Sequence, residues 1–115
     1  MAGYSVGMLN AALAGAGAYA PWLSLHTADP GATGANEAAG TGYARVQTTW
    51  GTPSGASMSG LQVAVTVPAG VTVTYWGCWT LVTAGSWGTG GPLPNSESFT
   101  GPGTYLLNAV LTASG

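Results

Sequence analysis

Apolar and polar positions change their period once along the chain, at Pro21. Before it, Val6, Met8, Leu9, Ala12, Leu13 and Ala16 recur at helical spacing behind Ser5, a residue suited to capping a helix N-terminus. The pattern predicts one short helix over about residues 5–16, stopped by Gly15, Gly17 and Pro21. Glycines at 7, 15 and 17 weaken that helix in isolation, so it must pack on something. After Pro21 the period falls to two. Trp22–Thr27, Tyr43–Thr48, Leu61–Val67, Val71–Trp76 and Thr104–Leu111 alternate as half-buried strands do, and a short Glu97–Phe99 segment joins them.

Between these runs lie turn signals: Asp29-Pro30-Gly31 with a Gly/Ala/Asn loop to Thr41, Gly51 to Gly60, Pro68-Ala69-Gly70, Gly88 to Pro92, and Gly101-Pro102-Gly103. Gly77 falls inside a strand pattern, which signals a bulge or a close backbone approach. Six or so short strands without crossover helices predict a mainly β fold. It is an antiparallel β-sandwich or jelly roll over about residues 22–113, with one N-terminal helix. A length of 115 residues bounds the chain to one domain, 1–115, and no repeat of fixed period is evident.

Charge is scarce. The charged side chains are Asp29, Glu37, Arg45 and Glu97, and there is no lysine. A folded chain of this mass exposes roughly 5,700 Å², which four charges cannot solvate. Hydroxyls, amides and glycine backbone must do so, or neighbouring proteins must cover it. A net charge of −2 with a single arginine leaves no electrostatic footprint for a nucleic-acid partner. The longest apolar stretch, Ala11 to Leu25, is broken by Gly15, Gly17, Pro21 and Ser24 and falls short of a membrane span. Met1-Ala2-Gly3-Tyr4 lacks the basic n-region of a signal peptide, so the chain is expected to be made in the cytoplasm and to keep its N-terminus. Five tryptophans and 46% hydrophobic residues argue for folding in spite of 20 glycines.

Candidate chemistry is sparse. Asp29 and Glu37 are the carboxylates that could flank a hydrolytic cleft, but no activating constellation accompanies them. A Cys78–His26 nucleophile pair is formally available. However, Cys78 lies between Trp76 and Trp79, where a thiol acts as a small buried hydrophobe. His26, Asp29 and Glu37 have no metal-ligand spacing, and a histidine ending a strand reads as a hydrogen-bonded loop anchor. No catalytic residue, metal or cofactor is therefore expected. Arg45, the sole cation, needs a carboxylate. Paired with Glu37 or Asp29 it would clamp the 28–40 loop against the following strand.

Trp22, Trp50, Trp76, Trp79 and Trp87 serve either as a sugar-stacking surface or as core and interface anchors. Trp76 and Trp79 stand an odd number of residues apart, so they face opposite sides of a regular strand. That argues for core and interface.

The segments Leu25-His26-Thr27-Ala28-Asp29-Pro30-Gly31, Gly34-Ala35-Asn36-Glu37 and Gly42-Tyr43-Ala44-Arg45 resemble a signature of small tailed-phage virion proteins. These include tail-fibre-like, minor tail and capsid-decoration proteins. The resemblance covers roughly the first 80 residues, including the aromatic strand at Trp76-Gly77 after a Pro-Ala-Gly turn. It implies a structural virion protein made in the host bacterial cytoplasm. The chain is short and has no shaft repeat, which points to a capsid-decoration or minor capsid protein. It would bind itself, as a homotrimer, and the major capsid protein or tail proteins. The alternative is a tail or fibre-tip component with a host-glycan-binding role; a third reading is a free carbohydrate-binding or hydrolytic domain.

Overall fold

The computed structural model describes residues 4–113. Helix α1 spans Val6–Tyr19. The strands are β1 Trp22–His26, β2 Val46–Gln47, β3 Ser57–Ser59, β4 Val63–Val67, β5 Val71–Trp79, β6 Trp87–Phe99, β7 Gly103–Leu107 and β8 Val110–Thr112. Every strand pairing is antiparallel.

Two β layers enclose the core. One is a four-stranded sheet in the order β2-β1-β5-β6. The other is a ribbon in which β4 pairs with β7 and β3 with β8. A bond from Gly60 N to Ala109 O, 2.9 Å, joins the two halves of that ribbon. Alternation puts one face of each layer inside. Leu23, Leu25, Val73, Trp76 and Cys78 come from the sheet, and Met58, Val65, Val67, Tyr105, Leu107 and Leu111 from the ribbon. The fold is thus mainly β and antiparallel with a single short helix, as the periodicity predicts.

The helix starts where expected, with Ser5 Oγ accepting from Met8 N at 3.2 Å. It runs three residues further than predicted because a tertiary contact overrides the weak propensity of glycine. Leu13 and Gly17 are its buried positions. A Cβ on Gly17 would stand 2.8 Å from Trp50 Cδ1 and 2.9 Å from Met58 Cε. Only glycine allows this approach, so Gly17 seats the helix rather than ending it.

Two further expectations change. The stretch Gly88 to Pro92, read as a turn, lies within the long strand β6, and the connection to β5 is made instead by residues 80–86. Pairing with β5 overrides the local turn signal. The register shifts between Val73 and Tyr75 and again between Gly77 and Trp79, which absorbs the extra residues of β6. Pro92 and Pro94 are tolerated because β6 is an edge strand. The alternation over Tyr43–Thr48 yields only the two-residue β2; residues 43–45 serve the site described next.

Candidate functional site

The sheet face away from the core carries Ser24 and His26 on β1, opposite Gly77 and Tyr75 on β5. The segment 27–45 folds back over this face. Its turn is set locally: Asp29 Oδ1 accepts from Gly31 N at 2.8 Å, and Gly34 N and Ala35 N both donate to Pro30 O at 3.0 Å. Ala38 N then donates to Leu25 O at 2.9 Å, which returns the chain to β1 and delivers Glu37 beside His26.

Arg45 reaches Glu37 as a fork, with Nε donating to Oε2 at 2.9 Å and Nη2 to Oε1 at 2.8 Å. Its remaining nitrogen, Nη1, donates to Leu81 O at 3.0 Å and Ala84 O at 2.7 Å. Tyr43 OH donates to Glu37 Oε2 at 2.7 Å and accepts from Leu25 N at 3.2 Å. One guanidinium therefore joins the 27–45 segment, β1 and the 80–86 connection. The pair is largely withdrawn from water, with side-chain exposures of 8% for Arg45 and 21% for Glu37. Burial alone would raise the Glu37 pKa, but the bonds from Arg45 and Tyr43 and the arginine charge outweigh it and hold the carboxyl below its usual range. Burial and the bond to Glu37 push the Tyr43 phenol far up.

Beneath the ion pair lies an aromatic cluster. Trp79 and Trp87 meet edge to face at 5.1 Å, and His26 meets Trp87 at 5.4 Å. Two glycines make room. A Cβ on Gly34 would come within 2.5 Å of Trp79, and one on Gly77 would overlap the ring of Trp87. Hydrogen bonds run through the cluster in one direction. Trp79 Nε1–H donates to Ser24 Oγ at 2.9 Å, and the Ser24 hydroxyl donates to His26 Nε2 at 2.7 Å. His26 Nδ1–H donates to Ala35 O at 2.7 Å, because a carbonyl can only accept. In the neutral imidazole the proton therefore sits on Nδ1 and Nε2 is the acceptor. Burial, the largest influence, lowers its pKa and outweighs the bond to Ala35 and the charge of Glu37.

Ser24 and His26 have the spacing of a hydroxyl–imidazole nucleophile pair, yet both are fully buried and no substrate reaches the hydroxyl. Their geometry holds a loop. Cys78 belongs to the other face of the sheet, in the core with Leu23, and so is not near His26 in function; burial raises its thiol pKa.

The sequence candidates therefore separate. Glu37 and Arg45 come together, whereas Asp29 does not join them and instead closes its own turn at Gly31. Trp76 lies in the core, 6.5 Å from Trp50, while Trp79 and Trp87 share the opposite face with Arg45. Trp22 is half-buried at the β2 and β5 junction, opposite Gln47 and Trp79. None of the five is among the strongly exposed side chains. Sequence reasoning missed Tyr43, Ser24 and the carbonyls of Leu81 and Ala84. Tyr43 stands two residues before Arg45 in an alternating run, a signal that both serve one face. The carbonyls leave no sequence signal.

Arg45 thus holds the 80–86 connection from below while Leu81 and Val82 stay 55% and 45% exposed on it. No helix among the described residues is long and apolar enough to cross a membrane, and no group of three or more metal-ligating side chains occurs among them. No curated protein matches the chain. A family model described as "Podophage GP4 fiber I protein gp80" matches residues 4–110. That span takes in the clamp, both β layers and the helix, and the chain belongs to this family of tailed-phage fibre proteins.

Proposed function

We propose that the protein is a structural subunit of a phage tail fibre, without enzymatic activity, that works by burying uncharged surface against further copies of itself and against neighbouring tail proteins. The observation that carries this reading is the match to a fibre family over residues 4–110. It favours the tail over the capsid-decoration role, which the short, repeat-free sequence by itself suggests.

The surface supports the same reading. The molecule is elongated, 49 × 24 × 22 Å. Of its charged side chains, Glu37 and Arg45 are bound to each other, which leaves Asp29 and Glu97 exposed over 6072 Å². Tyr4, Val6, Met8 and Tyr19 stand out from and beside the helix, and Leu61, Leu106 and Val110 from the ribbon. Such side chains, unguarded by charge, suit a closed symmetric assembly, and a homotrimer is the arrangement proposed.

Immunogold labelling of the particle tests the location. A few gold particles at the tail are expected; labelling spread over the head would restore the capsid role. Light scattering of the purified protein tests the assembly, and a monomer at all concentrations would count against self-association.

A further inference from the structure

The connection between β5 and β6, residues 80–86, is tied down more firmly than a surface loop has to be. Thr80 closes its neck twice, with N donating to Ser86 O at 3.1 Å and Oγ1 accepting from Ser86 N at 2.9 Å. Gly85 has φ +76°, and a Cβ there would stand 2.7 Å from Thr80 Oγ1 and 3.1 Å from Leu81 N. Ala84, at φ +55°, holds a left-handed conformation that alanine rarely adopts. Arg45 pins the turn from below through Leu81 O and Ala84 O. Despite that order, Leu81 and Val82 take no part in the core and stay exposed.

Order of this kind is unfavourable for the isolated chain. A strained alanine and a guanidinium withdrawn from water each cost free energy, and exposed apolar side chains do not offset it. A loop already held in one shape gains when it binds, because its ordering precedes the contact. Binding positions on loops set by a rigid scaffold are the common case. The 80–86 connection therefore has the properties of a preformed apolar finger that carries Leu81 and Val82.

Beside the finger lies a cleft of about 300 Å³. Ala39, Gly40 and Ala44 line it from the 27–45 segment, and Val82 and Ala84 from the finger. Its charged members, Glu37 and Arg45, are bound to each other, so a charged occupant would find no free counter-charge. The small side chains along it leave room for branched aliphatic ones such as those of Leu81 and Val82. Finger and cleft thus match in character and adjoin each other on the same chain. In a closed ring each copy offers its finger to one neighbour and its cleft to the other, the heterologous contact that such a ring requires. We propose that Leu81 and Val82 of one copy dock into the cleft at Ala39–Ala44 of the next. Two side chains bury far less than the roughly 800 Å² per partner of a stable interface, so the finger sets the register of a larger apolar contact. This inference rests on the self-association proposed above.

Disulfide trapping on the intact protein tests this, with Val82→Cys and Ala39→Cys prepared separately. Both positions are exposed, and the native Cys78 is buried. Under copper–phenanthroline oxidation an equimolar mixture should give linked pairs containing one of each variant, and neither variant alone should give any. Linkage of Val82→Cys to itself, or none in the mixture, would overturn the proposal. Val82→Asp should weaken self-association, read by sedimentation, by at least about tenfold, because it would bury an unpaired charge. Leu81→Ser removes apolar surface without adding charge and should act in the same direction. An oligomer whose affinity neither variant changes would overturn the finger and leave self-association standing. A monomer at all concentrations would overturn self-association, and the finger with it. Unchanged self-association with loss of Val82→Asp from particles would transfer the finger to another tail protein and overturn the proposal as well.

Discussion

Arg45 lies over Trp79, its Cζ 3.7 Å from the ring centroid, while the same guanidinium forks to Glu37. The planar cation thus meets an aromatic face, a carboxylate edge and two carbonyls at once, a combination that lysine cannot reproduce.

Arg45→Ala should cost roughly 3 kcal/mol, because it strands a half-buried carboxylate, and should lower the melting temperature by about 12 °C. Arg45→Lys should recover little of that, since it keeps the charge and loses the fork. Calorimetry checks both, and limited proteolysis should show early cuts in 27–42 and 80–86. Near-native melting of the lysine variant would mean that charge alone holds the loops.

Glycine substitutions should separate crowding from backbone strain. Gly34 has φ +78° and faces Trp79, whereas Gly70 has φ +80° and open space. Gly70→Ala should cost about 1 kcal/mol for the left-handed conformation. Gly34→Ala should add a further 1–3 kcal/mol or so for overpacking. Equal losses in urea unfolding would show that the aromatic cluster yields easily.

The helix offers the opposite pair. Gly15 has open space around its Cα, so Gly15→Ala should stabilise by roughly 0.5–1 kcal/mol. Gly17→Ala gains the same propensity but drives a methyl into Trp50 and Met58, and should destabilise. A gain from both changes in thermal melts would refute the seating role of Gly17.

Acid should weaken the fold in two steps. His26 is held neutral, with its pKa below the usual 6.5. The unfolded chain therefore binds that proton first, and stability falls as pH drops below about 6.5 until the folded pKa is passed. Glu37, with its pKa below the usual 4.5, adds stability above that pH and loses it as pH falls through its folded pKa. Denaturant unfolding at a series of pH values checks this, and His26→Gln should flatten the upper step alone. A midpoint that does not move between pH 7 and 5 would remove His26 from the account.

Much of the fold is legible in the chain because its signals are local. Period-two alternation at Leu61–Val67, a capping serine at position 5 and a Pro-Ala-Gly turn at 68–70 each act within a few residues, and each appears in the structure. The scarcity of charge likewise singles out Arg45 and its need for a carboxylate. Locality also explains the failures. Gly88 to Pro92 has the composition of a turn and becomes strand only because β5 lies beside it.

The antiparallel β class, the N-terminal helix, the scarcity of surface charge and the residue types of the clamp follow from period, propensity and count along the chain. It took the packed fold to select Glu37 rather than Asp29 as the partner of the arginine and to carry the helix through Gly17. The packed fold alone joins Trp79 to His26 through Ser24, and opens a cleft beside Val82. Each of these depends on which groups meet across the fold, and spacing along the chain carries no record of such distances. Hydrogen bonds and close packing act over a few ångströms, so their partners are chosen only once the layers have come together.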